Sequence, residues 1–231
     1  MIRGFYAAGS GLNAQQMAID NAANNMANVS TNGYKKQDIS FSDLLYSNID
    51  GTAAQNAMVG NGAKVSRTTT IQTQCGTEFT GNPLDFALTS DGFFGVLTQD
   101  GKVKYTRDGS FGVSCEDTGN YLVTSSGDYV LSSGGNKISS DSEDLKNQIG
   151  VFNFANPYGL TNKGDNLYEI TATSGDAIAI NGQLQSGCLE SSNVDLATEM
   201  SNLIEIQRAY QFNAKLVQTA DELANITNNL R

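Results

Sequence analysis

Apolar residues recur every seven positions at both ends of this chain. Near the start these are Phe5, Leu12, Ile19 and Met26; near the end they are Leu196, Leu203, Tyr210, Val217 and Ala224. A repeat of seven lays one narrow stripe down a helix, and such a stripe is buried only against another helix. The helix breakers agree. Residues 188–231 contain no glycine or proline, and residues 1–32 hold only Gly4, Gly9 and Gly11. The pattern predicts a first helix over about Ile2–Asn28 and a last one from near Asp195 to about Leu230. Asn193 or Asp195 is its expected cap and Glu199 lies in its first turn. At roughly 35 residues that helix is about 50 Å long, too long for a domain of this size to bury. Ala8, Ala22 and Ala23 leave room for close helix approach. Two terminal helices that each need a helical partner imply a chain that stacks with copies of itself or with close relatives. Phe5, Leu12, Ile19, Met26, Leu196, Leu203, Tyr210 and Val217 are the candidate assembly residues.

Between the helices the pattern changes. The segment from Gly51 to Gly187 carries 20 of the 24 glycines and both prolines, Pro83 and Pro157. Short apolar runs at Leu84–Leu88, Phe93–Leu97, Lys102–Arg107 and Tyr121–Thr124 are separated by Asp91-Gly92, Asp100-Gly101, Asp108-Gly109 and Ser126-Gly127. These pairs are turn signals. Further strands are expected at Ile149–Phe154, Leu167–Thr171 and Ala177–Ile180. With no helical crossovers between them, the middle reads as an antiparallel sandwich or small barrel. Val103 and Tyr105 are expected on one strand face, with Lys102 and Lys104 on the other. Before this region come an extended stretch, Tyr34–Ser40, an apolar cluster of Phe41, Leu44, Leu45 and Tyr46, and a loop-like run from Ser47 to Gly62.

Charge and composition narrow the function. The net charge of −10 argues against nucleic acid, which requires clustered Lys and Arg. The acidity is concentrated in residues 49–188, with 8 positive against 15 negative side chains, where it favours solubility. No stretch approaches the ~18 apolar residues of a membrane span, and the start has no apolar core of a cleaved secretion signal. Any export is therefore expected to be uncleaved and by a dedicated route. Cys75, Cys115 and Cys188 match no metal or redox spacing, and at most one internal pair could form. Histidine is absent, which removes Ser-His-Asp and Cys-His nucleophiles and histidine metal sites. Gly9-Ser10-Gly11 lacks the strand that a dinucleotide fingerprint needs, and Gly101-Lys102 is followed by Val103 where a phosphate loop has Ser or Thr. No cofactor, metal or catalytic residue is assigned. A carbohydrate-acting enzyme using paired carboxylates is kept as a distant alternative, without tryptophan to line a cleft.

Several strings together resemble a known family. They are Met1-Ile2-Arg3-Gly4, Gly11-Leu12-Asn13-Ala14-Gln15-Gln16 and the run from Asn24-Asn25-Met26 to Asn32-Gly33-Tyr34-Lys35. Phe41-Ser42-Asp43-Leu44-Leu45-Tyr46, Gly81-Asn82-Pro83-Leu84-Asp85, Asp91-Gly92-Phe93-Phe94 and Tyr105-Thr106-Arg107-Asp108-Gly109-Ser110-Phe111 continue them. Glu190-Ser191-Ser192-Asn193-Val194-Asp195, Gln207-Arg208-Ala209-Tyr210 and Gln218-Thr219-Ala220-Asp221 close the set. The chain thus resembles the bacterial flagellar rod and hook family, most like a distal-rod subunit and next a proximal-rod or hook-type one. It departs from the distal-rod pattern between Ser47 and Lys64, where it is shorter.

The resemblance implies an α+β fold whose terminal helices pair as a coiled coil around an export channel, with a Gly- and Thr-rich antiparallel β-domain between them in sequence. The expected division is 1–46 and 189–231 for the tube-forming part and 47–188 for the β-rich part. It also implies self-assembly with other rod and hook subunits, passage through the flagellar type III export apparatus and residence in the basal body, in periplasm or cell wall. Isolated helices depend on packing, so both ends are expected to be largely disordered in the free monomer and to fold on assembly.

Overall fold

The computed structural model describes residues 2–48, 58–116, 119–140 and 144–230 and has an α+β fold. Two compact units divide the chain. The first comprises residues 1–27, 37–70 and 194–231; the second comprises 28–36 and 71–193. Against the 1–46 and 189–231 expected for it, the helix-bearing unit also takes in 47–70 and leaves 28–36 and 189–193 to the second unit.

In the first unit an N-terminal helix, Ile2–Ala27, lies beside a C-terminal helix, Leu196–Asn229. The N-terminal helix stops where Asn28 and Thr31 bond one another: the Thr31 amide donates to the Asn28 carbonyl at 3.1 Å and its hydroxyl to Asn28 Oδ1 at 3.2 Å. Such local bonding competes with helix continuation. Asp195 caps the C-terminal helix, accepting from the Ala197 amide at 3.2 Å, while Asn193 has a different role described below. Along the whole C-terminal helix only Glu199 is buried among the described residues.

A two-stranded antiparallel sheet, Gln37–Asp43 with Ala63–Thr70, completes this unit. It begins three residues later than the expected extended stretch and gains a partner strand that the polar sequence did not signal. Gly62, at φ +111°, lies so close to the N-terminal helix that a Cβ there would overlap the Ser10 hydroxyl at 2.0 Å. The run read as loop contains one short ladder, Ser47–Asn48 with Met58–Val59, and its residues 49–57 lie outside the described ones. Phe41, Leu45 and Tyr46 are exposed and do not form a core.

The second unit is antiparallel β throughout its described strand pairs. Its largest sheet runs in the order Thr161–Asn162, Leu167–Glu169, Val103–Thr106, Phe93–Leu97, Tyr129–Val130, Gly119–Thr124, Phe111–Glu116. Val151–Asn153 pairs Phe93–Leu97 and Ile178–Ile180 alongside. Asp100-Gly101 joins Phe93–Leu97 to Val103–Thr106, and Ser126-Gly127 joins Gly119–Thr124 to Tyr129–Val130; Gly101 and Gly127 both have positive φ. Asp108-Gly109 is no hairpin. Its glycine packs under the Phe86 carbonyl, 1.7 Å from where a Cβ would be.

The strand Phe93–Leu97 is covered on both sides, since successive residues point to opposite faces. Phe94 enters a cluster with Phe86, Leu88, Phe111, Leu122 and Val151. Phe93 enters an aromatic one with Tyr105, Phe154 and Tyr168. Each buried Phe contributes about 1.5–3 kcal/mol, which accounts for the unbroken apolar run Phe93-Phe94-Gly95-Val96-Leu97. Of the two residues expected on one face, Tyr105 is buried and Val103, at the strand's start, is exposed.

Candidate functional site

The first candidate surface is the helix pair. Gly11 lies against the Asn213 side chain, and the Asn25 amide approaches Glu199 Oε2 at 3.5 Å. Gly11 and Asn25 are two heptads apart, and so are Glu199 and Asn213, so the pairing is antiparallel and in one constant register. It sets Ala18 level with Ile206 and Ala14 level with Tyr210. The N-terminal helix buries Ala8, Ala14, Ala18, Ala22 and Asn25. The C-terminal helix turns Leu203, Ile206, Tyr210, Asn213, Val217, Ala220 and Ala224, all half-buried, to the same side in a three–four alternation. Methyls on one helix thus meet larger side chains on the other.

Each predicted assembly residue has a definite place. Leu12, Ile19 and Met26 are half-buried at the margin of the alanine face, and Phe5 is 45 % exposed. Leu203, Tyr210 and Val217 belong to the half-buried alternation, and Leu196 is 42 % exposed. Beside that alternation the C-terminal helix carries a second apolar stripe that the seven-residue repeat does not pick out: Phe212, Leu216, Leu223, Ile226 and Leu230 are all exposed. Met17 and Tyr6 are the exposed apolar residues that accompany Phe5 on the N-terminal helix.

Asn25 also performs a backbone's work. Its Nδ2 donates to the Gln37 carbonyl at 2.9 Å, and its Oδ1 accepts from the Gln37 amide at 3.0 Å. A buried side chain here pairs a strand residue as a neighbouring strand would.

The second candidate lies inside the β unit. Glu190 is fully buried and takes Lys35 Nζ at 2.6 Å, Arg107 Nη1 at 3.3 Å and the Cys75 amide at 3.1 Å. Lys35 Nζ also donates to the Thr73 carbonyl at 2.9 Å, and Arg107 stacks on Phe93 with its guanidinium carbon 5.2 Å from the ring centre. Burial pushes the Lys35 ammonium below the ordinary lysine value, and the hydrogen bond that it donates to Glu190 only partly offsets this. Burial likewise pushes the Tyr168 phenol up to about 12.

The backbone around this node is equally tight. The Gly33 amide donates to the Glu190 carbonyl at 2.8 Å, and at φ +67° a Cβ on Gly33 would sit 2.7 Å from the Arg107 carbonyl carbon. Asn193 takes the Lys36 amide on Oδ1 at 2.6 Å and gives Nδ2 to the Ile71 carbonyl at 2.9 Å. Three strings far apart in sequence therefore meet at one place: Asn32-Gly33-Tyr34-Lys35, Tyr105-Thr106-Arg107-Asp108 and Glu190-Ser191-Ser192-Asn193. All three strings are among those that carry the family resemblance, but sequence alone assigns their charges no role; the only signal is that each string contains a charged residue, Lys35 in the first, Arg107 and Asp108 in the second and Glu190 in the third.

This arrangement is structural chemistry. Glu190 bridges Lys35 and Arg107 inside the fold, while Arg107 Nε has no hydrogen-bond partner among the described residues and the same side chain lines a small pocket with Gln72, Phe93 and Phe154. Among the described residues no cluster of Cys, Asp and Glu could hold a metal ion, and no helix is long and apolar enough to cross a membrane. The three cysteines are free thiols.

Comparison with known proteins brings three family models. Residues 5–35 match "Flagella basal body rod protein", residues 87–151 match "Flagellar hook protein FlgE/F/G D1 domain", and residues 185–230 match "Flagellar basal body rod FlgEFG protein C-terminal". Among curated proteins, the chain is similar to the flagellar basal-body rod protein FlgG of Borreliella burgdorferi, at 38 % identity over all of this chain and 99 % of the relative. It is similar to FlgG of Bacillus subtilis at 36 % identity, over the full length of both. It is also similar to the flagellar hook-basal body complex protein FlhP of Bacillus subtilis, at 30 % identity over the full length of both. The alignment to the first runs over 266 positions where this chain has 231 residues, so that relative carries segments with no counterpart here.

Proposed function

The chain belongs to the flagellar basal-body rod protein family, and from that premise we propose that it polymerises through the outer faces of its two helices into the hollow shaft of the rod. It is a structural subunit; the proposal concerns how it assembles and where it sits. The observation that carries it is the second apolar stripe. Phe212, at 66 % exposure, and Leu216, Leu223, Ile226 and Leu230 face away from the intramolecular seam. A helix that is apolar on two sides needs two partners, and the alanine-faced N-terminal helix covers one. Phe5 and Leu12 offer neighbours an apolar flank on that helix, and Tyr6 and Met17 offer another. Contacts that repeat without closing into a ring generate a filament.

The likeness to FlgG favours the distal-rod type. The full-length likeness to FlhP keeps a hook-side axial position as the second reading, and locating the protein in purified basal bodies by electron microscopy separates the two. Passage through the type III export apparatus without cleavage fits a seam built from methyls and half-buried side chains, which is weak enough to open. Amide exchange on the free monomer tests this: strong protection over 14–25 and 203–220 would refute it. Phe212→Asp and Leu12→Asp should each abolish sedimentable polymer while the far-ultraviolet β signal persists. Normal rods from both variants would overturn the assembly proposal.

A further inference from the structure

The apolar part of the helix seam repeats every seven residues on both sides. Leu203, Tyr210 and Val217 differ in size, but each is level with a small or polar residue of the N-terminal helix, Asn21, Ala14 and Ala7 in turn. Sliding one helix by a heptad would still set a larger side chain against a small or polar one in these layers, so they fix the register only weakly. The polar layers differ. Glu199, buried at the first of them, faces Asn25; Asn213, two heptads on, faces a glycine, 3.1 Å from where a Cβ would stand.

We propose that Asn25–Glu199 and Gly11–Asn213 form a register lock that selects this one antiparallel pairing against those displaced by a heptad, within one chain or between copies. A slip in one direction sets the Glu199 carboxylate against the Ala18 methyl and Ile206 against Gly11, stranding a buried charge. A slip in the other sets Asn25 against Ile206 and Asn213 against Ala18, whose methyl occupies the space that Gly11 leaves open. Both directions are penalised, by unmet hydrogen bonding and by crowding. A buried polar residue that fixes helix register at the expense of stability is a known device of helical seams. The Asn25–Gln37 backbone bonds hold the Asn25 side chain in place, so its amide is presented to the C-terminal helix already oriented. The inference rests on the intramolecular helix pair and not on polymerisation, so its failure would leave the rod proposal standing.

Disulfide trapping in the full-length chain tests it, with linked peptides mapped by mass spectrometry so that the native thiols are told apart. Ala14→Cys with Tyr210→Cys reports the observed register; Ala14→Cys with Leu203→Cys, or with Val217→Cys, reports a slip either way. With the polar layers intact, the slipped pairs should link at least about tenfold less than the registered pair, the disfavour expected of one stranded buried polar group. In Glu199→Leu/Asn213→Ala, slipped and registered links should become comparable while helix content by circular dichroism is retained. Slipped links that stay tenfold down in that variant would overturn the lock. Should the variant lose its helix content, Glu199→Ala alone is read by the same ratio, since it removes the carboxylate and adds no volume. A rise in slipped links there supports the lock, and an unchanged ratio overturns it.

Discussion

Replacing Glu190 with alanine removes the one anion that two buried cations share. Lys35 Nζ loses its 2.6 Å partner and Arg107 its 3.3 Å one, and the Cys75 amide loses its acceptor. Breaking a buried pair by deleting one member costs about 3–5 kcal/mol, because a charge is stranded. Lys35 has an escape: it can shed its proton. From the ordinary lysine value of 10.5, doing so at pH 7 costs about 5 kcal/mol at about 1.4 kcal/mol per pH unit. That sets the ceiling on its share. Arg107 has no such escape and keeps only the Phe93 ring. The expected loss at pH 7 is therefore about 3–5 kcal/mol. With a urea slope of about 2 kcal/mol per molar, the midpoint should fall by about 1.5–2.5 M, followed by tyrosine fluorescence. The pH dependence carries the mechanism. In the variant the folded Lys35 pKa lies further below its unfolded value, so the unfolded state binds more protons and stability rises with pH towards 10.5. The deficit against the parent should shrink between pH 7 and pH 10. A loss under about 1 kcal/mol, the worth of an ordinary neutral hydrogen bond, or a deficit equal at both pH values, would refute the idea that stranded charge is what Glu190 prevents.

Three further outcomes follow from the same geometry. Gly33→Ala forces a methyl into the Arg107–Asp108 backbone at a positive φ and should cost more than about 2 kcal/mol in urea unfolding; a neutral result would mean that the close approach is relieved in solution. Tyr168, raised to about 12, contributes stability that is complete below pH 10 and lost as pH climbs through 10 to 12, of order 2–3 kcal/mol. Tyr168→Phe should flatten that alkaline limb, and an unchanged limb would assign it elsewhere. Asn25→Ala leaves both backbone groups of Gln37 without their side-chain partner, and should cost about 2–3 kcal/mol and raise amide exchange at Gln37 at least tenfold; unchanged exchange would show that water replaces the side chain.

The parts of this fold legible in sequence are those set by neighbours along the chain. Both helices, the Asp195 cap and the Asp100-Gly101 and Ser126-Gly127 turns depend on local spacing and backbone preference, and all stand where expected. The strand Ala63–Thr70 was not legible, because its threonines, lysine and arginine leave no apolar alternation to read. The inner face of the N-terminal helix was only partly legible for a related reason. Periodicity weighs bulk and selects Phe5, Leu12, Ile19 and Met26; of the buried alanines, Ala8 and Ala22 stood out in sequence while Ala14 and Ala18 did not. The Lys35–Glu190–Arg107 node joins residues 155 and 83 positions apart. Each charge taken alone reads as a solvated one, and only the folded backbone brings their opposite signs together.

Alanine on that inner face has a geometric corollary. Helix axes separated by methyls approach to the short end of the usual range, about 8 Å rather than 10 Å. Pairs of this kind ranged about a common axis would make a thin wall, leaving a wider bore for the same outer calibre. Enlarging Ala14 or Ala18 would thicken that wall, and the passage within would narrow before the subunit itself lost its fold.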